Sequence, residues 1–449
     1  MVGRHAGCER LKTMEWWLVL VIIFASLILL LGAGLPVAFA FLLINIAGAE
    51  ILMGGGRAFQ QLVHSIYGSV TSFSLLPIPL FVFMGEILWQ SEIAARALRA
   101  IDRVLGRLPG RLSLLTVSSG TVFSALSGST IANTAMLGSL LLPELRRRGY
   151  AGDLSMGAIM ASGALAMLIP PSALAVVFAA IAKISIGKVL VALIVPGLIL
   201  ATLYAVYIVG RAVRQPQSAP SYEVSHVTLR EKVMGLALYV APLSIIVFLV
   251  IGVIFLGVAT PTEAAAFGCA GSVGLALAYR DLTWQRFLDA IKGTLKISVM
   301  MLTIMAAAIG FSQLLAYSGA SRGLLEHVMS FDVSPIMLLI LMQLVLLVLG
   351  CFMEQIAIML ITLPIFMPII KVAGIDPIWF AVICLLNLEL ALMTPPFGLL
   401  LFVMQGAART VRMQEIYRAA LPFVAIDLIV ICLLLAFPGL ATGLSRFVR

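Results

Sequence analysis

The chain has 449 residues, of which 62% are hydrophobic and only 11% charged. Soluble domains carry about 25% charged residues, so the chain reads as an all-α polytopic membrane protein. The net charge of +9 is no argument for nucleic acid, because the basic residues cluster in short loops between apolar runs and act there as topology determinants. Strand-period alternation between regular turns is absent, which excludes an outer-membrane barrel. Cys8, Cys269, Cys351, Cys384 and Cys432 show no CxxC spacing, and His5, His64, His226 and His327 are scattered. Neither a disulfide framework nor a metal centre is expected.

In chain order, residues 1–13 carry Arg4, Arg10 and Lys12 ahead of Met14. They lack the cleavage site and following soluble domain of a signal peptide and read as a non-native extension. Residues 16–31 and 36–53 form two spans joined by Gly32-Ala33-Gly34-Leu35. A third span runs from about Val70 to Trp89 and carries Glu86. In residues 91–111, Ala94, Ala97, Leu98, Ile101, Leu105 and Leu108 recur at helical spacing with arginines between them. That pattern predicts an interfacial helix along the bilayer surface.

Residues 112–143 are 32 without a charge, too many for one span of roughly 20 residues and few for two. Their centre, Ser127-Gly128-Ser129-Thr130-Ile131-Ala132-Asn133-Thr134, is their most polar part. Lipid tolerates no such backbone break, so it must be buried in protein or face water. A re-entrant hairpin is the economical solution; a long tilted helix with back-bonded hydroxyls is the alternative. Glu144-Leu145-Arg146-Arg147-Arg148 then marks a cytoplasmic loop. Residues 154–182 are charge-free and interrupted by Pro170-Pro171, a pair that removes two donors and breaks the helix. Residues 189–210 return, 211–232 form the longest polar loop, and 233–258 cross again. Thr260-Pro261-Thr262-Glu263 makes a helix start with Glu263 as its N-cap partner. Residues 264–278 cross back, and 280–292 read as a second basic surface helix.

The second half repeats the first. Ser91, Pro109, Pro143, Pro170 and Pro196 match Ser318, Pro335, Pro364, Pro395 and Pro422, at offsets from 221 to 227 residues. Ser129-Thr130-Ile131-Ala132-Asn133-Thr134 then falls on Gly350-Cys351-Phe352-Met353-Glu354-Gln355, a second polar hairpin tip. Placing Arg146–Arg148 inside puts the other basic loops inside as well. The first hairpin then enters from the cytoplasm and the second from the far side, so the repeats are inverted. The same count puts the N-terminus outside. Inverted repeats with broken helices place a binding site at the bilayer midplane. Helix N-termini there suit an anion, and carbonyls and hydroxyls suit a small cation such as Na⁺.

The residues also carry a resemblance. Ser127–Thr134 followed by Pro143-Glu144-Leu145, then Thr260-Pro261-Thr262-Glu263-Ala264-Ala265-Ala266 and Met393-Thr394-Pro395-Pro396-Phe397-Gly398-Leu399, resemble the large membrane subunit of the tripartite ATP-independent periplasmic (TRAP) transporters. Met353-Glu354-Gln355-Ile356-Ala357 with Pro364-Ile365-Phe366 is similar to that family's second hairpin. The resemblance runs from about Trp16 to Gly439. Family members often carry Asp at both tips, whereas Asn133 and Glu354 stand here. It implies a sodium-driven importer of a carboxylate-type solute in a bacterial inner membrane, with an elevator-type ion-transporter fold. It further implies a small four-helix membrane subunit and a periplasmic substrate-binding protein as partners. Na⁺ would be the coupling ion, with no other cofactor.

On this reading one Na⁺ site is expected from Ser127, Ser129 and Asn133 with backbone near Pro170. The other is expected from Gly350, Met353 and Glu354 with Thr394 and backbone at Pro395. Gly128, Thr130, Pro171, Gln355 and Pro396 are expected to bind the solute. The competing readings are packing for the serines and a buried neutral acid for Glu354; Glu389 is left undecided. Residues 14–90 and 187–279 would be scaffold, 91–111 an arm helix, and 280–332 a second arm and span. The transport domain would comprise 112–186 and 333–404, and 405–449 would end the scaffold. A stand-alone sodium/dicarboxylate symporter is the alternative. A membrane-embedded serine hydrolase would need a His or Lys beside Ser124, Ser127 or Ser129, and neither hairpin nor broken helix contains one. A receptor or scaffold would need no such hairpins. No Arg lies at the tips to clamp a carboxylate, so the solute is not legible.

Overall fold

Charge-free apolar runs must satisfy their backbone groups within each segment, and in lipid the α-helix does this without partners. The computed structural model describes residues 15–106, 108–127, 130–220, 228–331, 333–408 and 411–448, with no strand among them. The expected extension at 1–13, with Gly128 and Ser129, lies outside the described residues. Among the described residues six helical stretches are long and apolar enough to cross a membrane, or seven if one bent pair counts as a span.

The chain opens with α1 (Trp16–Gly32), α2 (Val37–Ile51) and α3 (Gly56–Val70), then α4 (Pro77–Gln90) and α5 (Ile93–Leu105). Helices α1, α2 and α5 fall where the sequence places helices, but α1 and α2, at 17 and 15 residues, are shorter than the stretches counted as spans. Helix α3 was not expected: Gln60, Gln61 and His64 interrupt any apolar run there. Within residues 112–143 the described residues form two helices, α6 (Arg111–Ser127) and α7 (Thr130–Arg147), which pack on each other. A π-helical turn, Asp153–Gly157, leads into α8 (Ala158–Leu168), and α9 (Ala173–Ala182) continues past Pro170-Pro171 at a bend of 46°.

Beyond them lie α10 (Ile186–Ala192), α11 (Ile194–Arg214), α12 (Leu229–Gly235), α13 (Ala241–Phe255) and α14 (Pro261–Ala278). Thr260 and Glu263 form the capping box expected of them: Glu263 N–H donates to Thr260 Oγ1 and Thr260 N–H to Glu263 Oε2. The basic segment 280–292 forms no helix of its own: residues 284–292 are the first part of α15 (Trp284–Tyr317), a helix of 34 residues. At about 1.5 Å per residue it is longer than a hydrocarbon core of about 30 Å requires. Then follow α16 (Ala320–Met329), α17 (Pro335–Gly350), α18 (Gln355–Val372), α19 (Pro377–Met393), α20 (Leu399–Ala407), α21 (Met413–Ala436) and α22 (Gly439–Thr442).

The chain divides into two compact units. One comprises Met1–Leu75, Ile297–Met342 and Gln355–Pro377. Within it α2 packs on α1 and α3, and α16 on α1 and α18. Phe311 stands edge-on to Phe24 and Phe41, at 6.2 and 4.8 Å between ring centres. The buried Asn45 donates to the Ala307 carbonyl at 2.6 Å.

The other unit comprises Leu76–Lys296, Gln343–Glu354 and Ile378–Arg449. Its centre is α8, buried along its whole length between α6 and α7. Helix α4 packs on α14, and α11 and the π turn pack on α21. The Tyr204 hydroxyl donates to the fully buried Asp427, fixing α11 to α21. An interhelical hydrogen bond in a membrane bundle is worth about 1 kcal/mol, so this pair secures register more than stability.

Candidate functional site

The described part of the first tip begins at Thr130, the first residue of α7. Helix α8 reaches it because three small residues remove the obstruction. A Cβ on Gly120 of α6 would collide with Ser162, and one on Gly163 would collide with Thr134 Oγ1 and lie 3.1 Å from the Thr130 carbonyl. Small residues at such crossings let backbones approach closely. The Asn133 amide, fully buried, donates to the Ser162 carbonyl at 3.3 Å. Thr134 Oγ1, equally buried, has no hydrogen-bond partner.

Glu389 of α19 completes this group. It is fully buried, and its Oε1 accepts the Thr130 hydroxyl at 2.6 Å. An acid at membrane depth requires compensation. The N-terminus of α7 supplies part of it, since a helix N-terminus carries about half a positive charge. Two residues earlier on α19, Asn387 donates to the Gln343 carbonyl and side chain at 2.6 and 3.0 Å, and Gln343 donates to Cys384 Sγ at 3.3 Å. These bonds hold the end of α17 against α19.

The second tip follows Gly350. Backbone N–H groups of Cys351, Phe352 and Met353 turn back onto the last carbonyls of α17. Cys351 is buried, its Sγ 4.0 Å from the carbonyl oxygens of both Thr394 and Pro395. Phe352 lies against Phe397 at 5.4 Å between ring centres. This turn therefore sits on the break between α19 and α20. Prolines 170, 171, 395 and 396 have no N–H, so the helical donors to the Met167 and Leu392 carbonyls are missing. At the first break Ser172 caps α9 by accepting from Ala175 N–H at 3.3 Å. At the second, a Cβ on Gly398 would collide with the Leu392 carbonyl, so only glycine permits the chain to fold back there.

The expected residues fall as follows. Only the backbone of Ser127 is described, and Gly128 and Ser129 are outside the described residues. Thr130 and Asn133 share the first cluster. Pro170 and Pro171 are buried at the first break. Gly350 closes α17, and Met353 and Glu354 are half-buried in the turn. Thr394 Oγ1 donates to the Leu390 carbonyl at 2.8 Å, leaving its lone pairs available. The Pro396 carbonyl accepts the Tyr417 hydroxyl at 2.7 Å. Gln355, in the other unit, opens α18 with a buried Nε2 that has no partner. Sequence reasoning missed Thr134 and Ser162 and left Glu389 open. The signal for Glu389 was present: it is the only acidic or basic residue from Pro377 to Ala408.

Residues 24–440 match the sequence model of a family described as "Tripartite ATP-independent periplasmic transporter, DctM component". The C4-dicarboxylate TRAP transporter large permease protein DctM of Pseudomonas aeruginosa is 33% identical over 410 residues, covering 90% of this chain and 94% of that protein. The isethionate TRAP transporter permease protein DctMQ of Oleidesulfovibrio alaskensis is 30% identical, covering 93% of this chain and 65% of that longer protein. Among solved structures, the YdaH transporter of Alcanivorax borkumensis superposes with a TM-score of 0.60 at 15% identity, over 91% of this chain and 98% of that one. At that identity the likeness concerns the fold alone.

Proposed function

We infer the function from one premise: the chain belongs to the tripartite ATP-independent periplasmic transporter family, as its DctM component. It is a multi-pass membrane permease subunit, and its role is transport rather than catalysis. From there we propose a sodium-driven importer of an organic anion. The two related permeases are named for a C4-dicarboxylate and for isethionate, both small anions. A periplasmic binding protein would deliver the solute, and a small membrane subunit would complete the permease. We place the N-terminus in the periplasm and the chain in a bacterial inner membrane.

The observation that carries this reading is the Thr130–Glu389 bond, because it joins the first tip to the helix that ends at the second break. Glu389 lies four residues before the end of α19, about 6 Å along its axis, and Thr394 directly follows that end. One rigid element thus serves both clusters. A buried carboxylate, the unpartnered Thr134 hydroxyl and carbonyls released by the prolines are hard oxygen donors of the kind that suit Na⁺. Na⁺ would add positive charge beside the buried Glu389 carboxylate. The two helix–break–helix sequences, α6 to α9 and α17 to α20, would be inverted repeats. Their tips would move together as an elevator, with α5 and the start of α15 as arms.

The test is uptake into proteoliposomes that hold the complete complex. An inward Na⁺ gradient should drive accumulation without ATP. Equal uptake with choline replacing Na⁺ on both sides would remove sodium from the account and leave protons as the driver.

A further inference from the structure

The transport reading makes no use of α3, which presents three distinct faces at about 100° per residue. Ala58, Leu62 and Ser65 form the first. Ala58 and Leu62 are buried, Leu62 lies beside Gly310, and Ser65 accepts a hydrogen bond from Gln313. Val63, Tyr67 and Val70, spaced by four and three, form the second. They are exposed at 63, 68 and 43%, and Phe73 extends the stripe at 72%. Exposed Gln61 and His64 occupy the remaining side, with Gln60 at the edge of the apolar stripe.

Such a helix cannot cross the bilayer. Its fifteen residues reach about 22 Å against a core of about 30 Å, and its third face is polar. Yet both its ends are tethered to membrane elements. Four residues connect it to α2, and the span Phe73–Gln90 begins three residues after it. Ile46 and Ile51 are exposed on α2, so apolar surface continues up to this helix. No acidic residue occurs from 51 to 85, and Arg57 and His64 are the only basic ones. That is little charge for recognising a particular protein, while an apolar stripe edged by Tyr and Phe suits the membrane interface.

We propose that α3 is an interfacial anchor whose Val63, Tyr67 and Val70 stripe enters the headgroup–acyl boundary of the bilayer. The packed face binds the unit's own helices, the apolar stripe meets lipid, and the glutamine face meets water.

Spin labels at Val63→Cys, Tyr67→Cys, Gln61→Cys and His64→Cys test this. The background is the full chain without reactive cysteines, in nanodiscs of phosphatidylethanolamine and phosphatidylglycerol. Collision with oxygen against a water-soluble nickel chelate gives depth. Labels at 63 and 67 should lie about 5–10 Å below the headgroup surface, with those at 61 and 64 in water. Water-accessible labels at 63 and 67 would overturn the proposal. So would shielding that appears only when the small membrane subunit or the binding protein is added, because the stripe would then be a protein-docking face. Tyr67→Trp is a milder second probe. Lipids brominated high on the acyl chain should quench its added fluorescence relative to the parent chain, and an absence of added quenching would contradict the placement.

Discussion

Glu389→Gln is expected to raise the Na⁺ concentration for half-maximal uptake roughly ten- to a hundred-fold. Glutamine keeps the size of the side chain and an oxygen for the Thr130 hydroxyl to donate to. Only the charge is removed. Bonds to charged groups are worth about 1.5–3 kcal/mol, and each 1.4 kcal/mol is about a factor of ten, which sets the range. The measurement is Na⁺ dependence of uptake at constant membrane potential. Glu354→Gln in the same assay should shift less, because Glu354 is half-buried and solvent screens its field. An unchanged Na⁺ dependence in Glu389→Gln, with uptake intact, would mean that Glu389 holds a proton and serves as a structural hydrogen-bonding group.

Gly163→Ala should destabilise the second unit by about 1–3 kcal/mol, the ordinary cost of overpacking a filled site. The methyl would occupy the place of Thr134 Oγ1 and press on the Thr130 carbonyl. Threonine is stiff at χ1, so α8 and the first tip must separate. The melting temperature should fall and uptake should be largely lost. Adding Thr134→Ala removes the obstructing atom and should recover part of the melting temperature, whatever happens to transport. A Gly163→Ala chain as stable as the parent would show that α8 does not lie against the tip.

The local breaks were legible because each is written in chemistry that needs no tertiary partner. A charge-free run too long for one span, with Ser, Gly, Thr and Asn at its centre, predicts two helices. Pro170-Pro171 and Pro395-Pro396 stop helices by lacking N–H groups. Thr260 and Glu263 cap a helix three residues apart. Longer-range features were not legible. Thr130 meets Glu389 across 259 residues, and Tyr204 meets Asp427 across 223; periodicity says nothing about either. Helix α3 escaped because apolar runs were sought, whereas its apolar residues are shared between two faces. The joining of segment 280–292 to the following span escaped for a related reason: a change from basic to apolar composition marks the membrane surface and need not mark a helix end.

The central claim is that ion and solute move as one event through a site shared by both tips. Simultaneous flux of radioactive sodium and labelled solute, in proteoliposomes holding the complete complex and its loaded binding protein, tests it most directly. The account predicts a fixed ratio of Na⁺ to solute at every imposed gradient, with both fluxes reduced together in Glu389→Gln. Solute entry that persists while sodium flux falls to the leak of empty vesicles would contradict it.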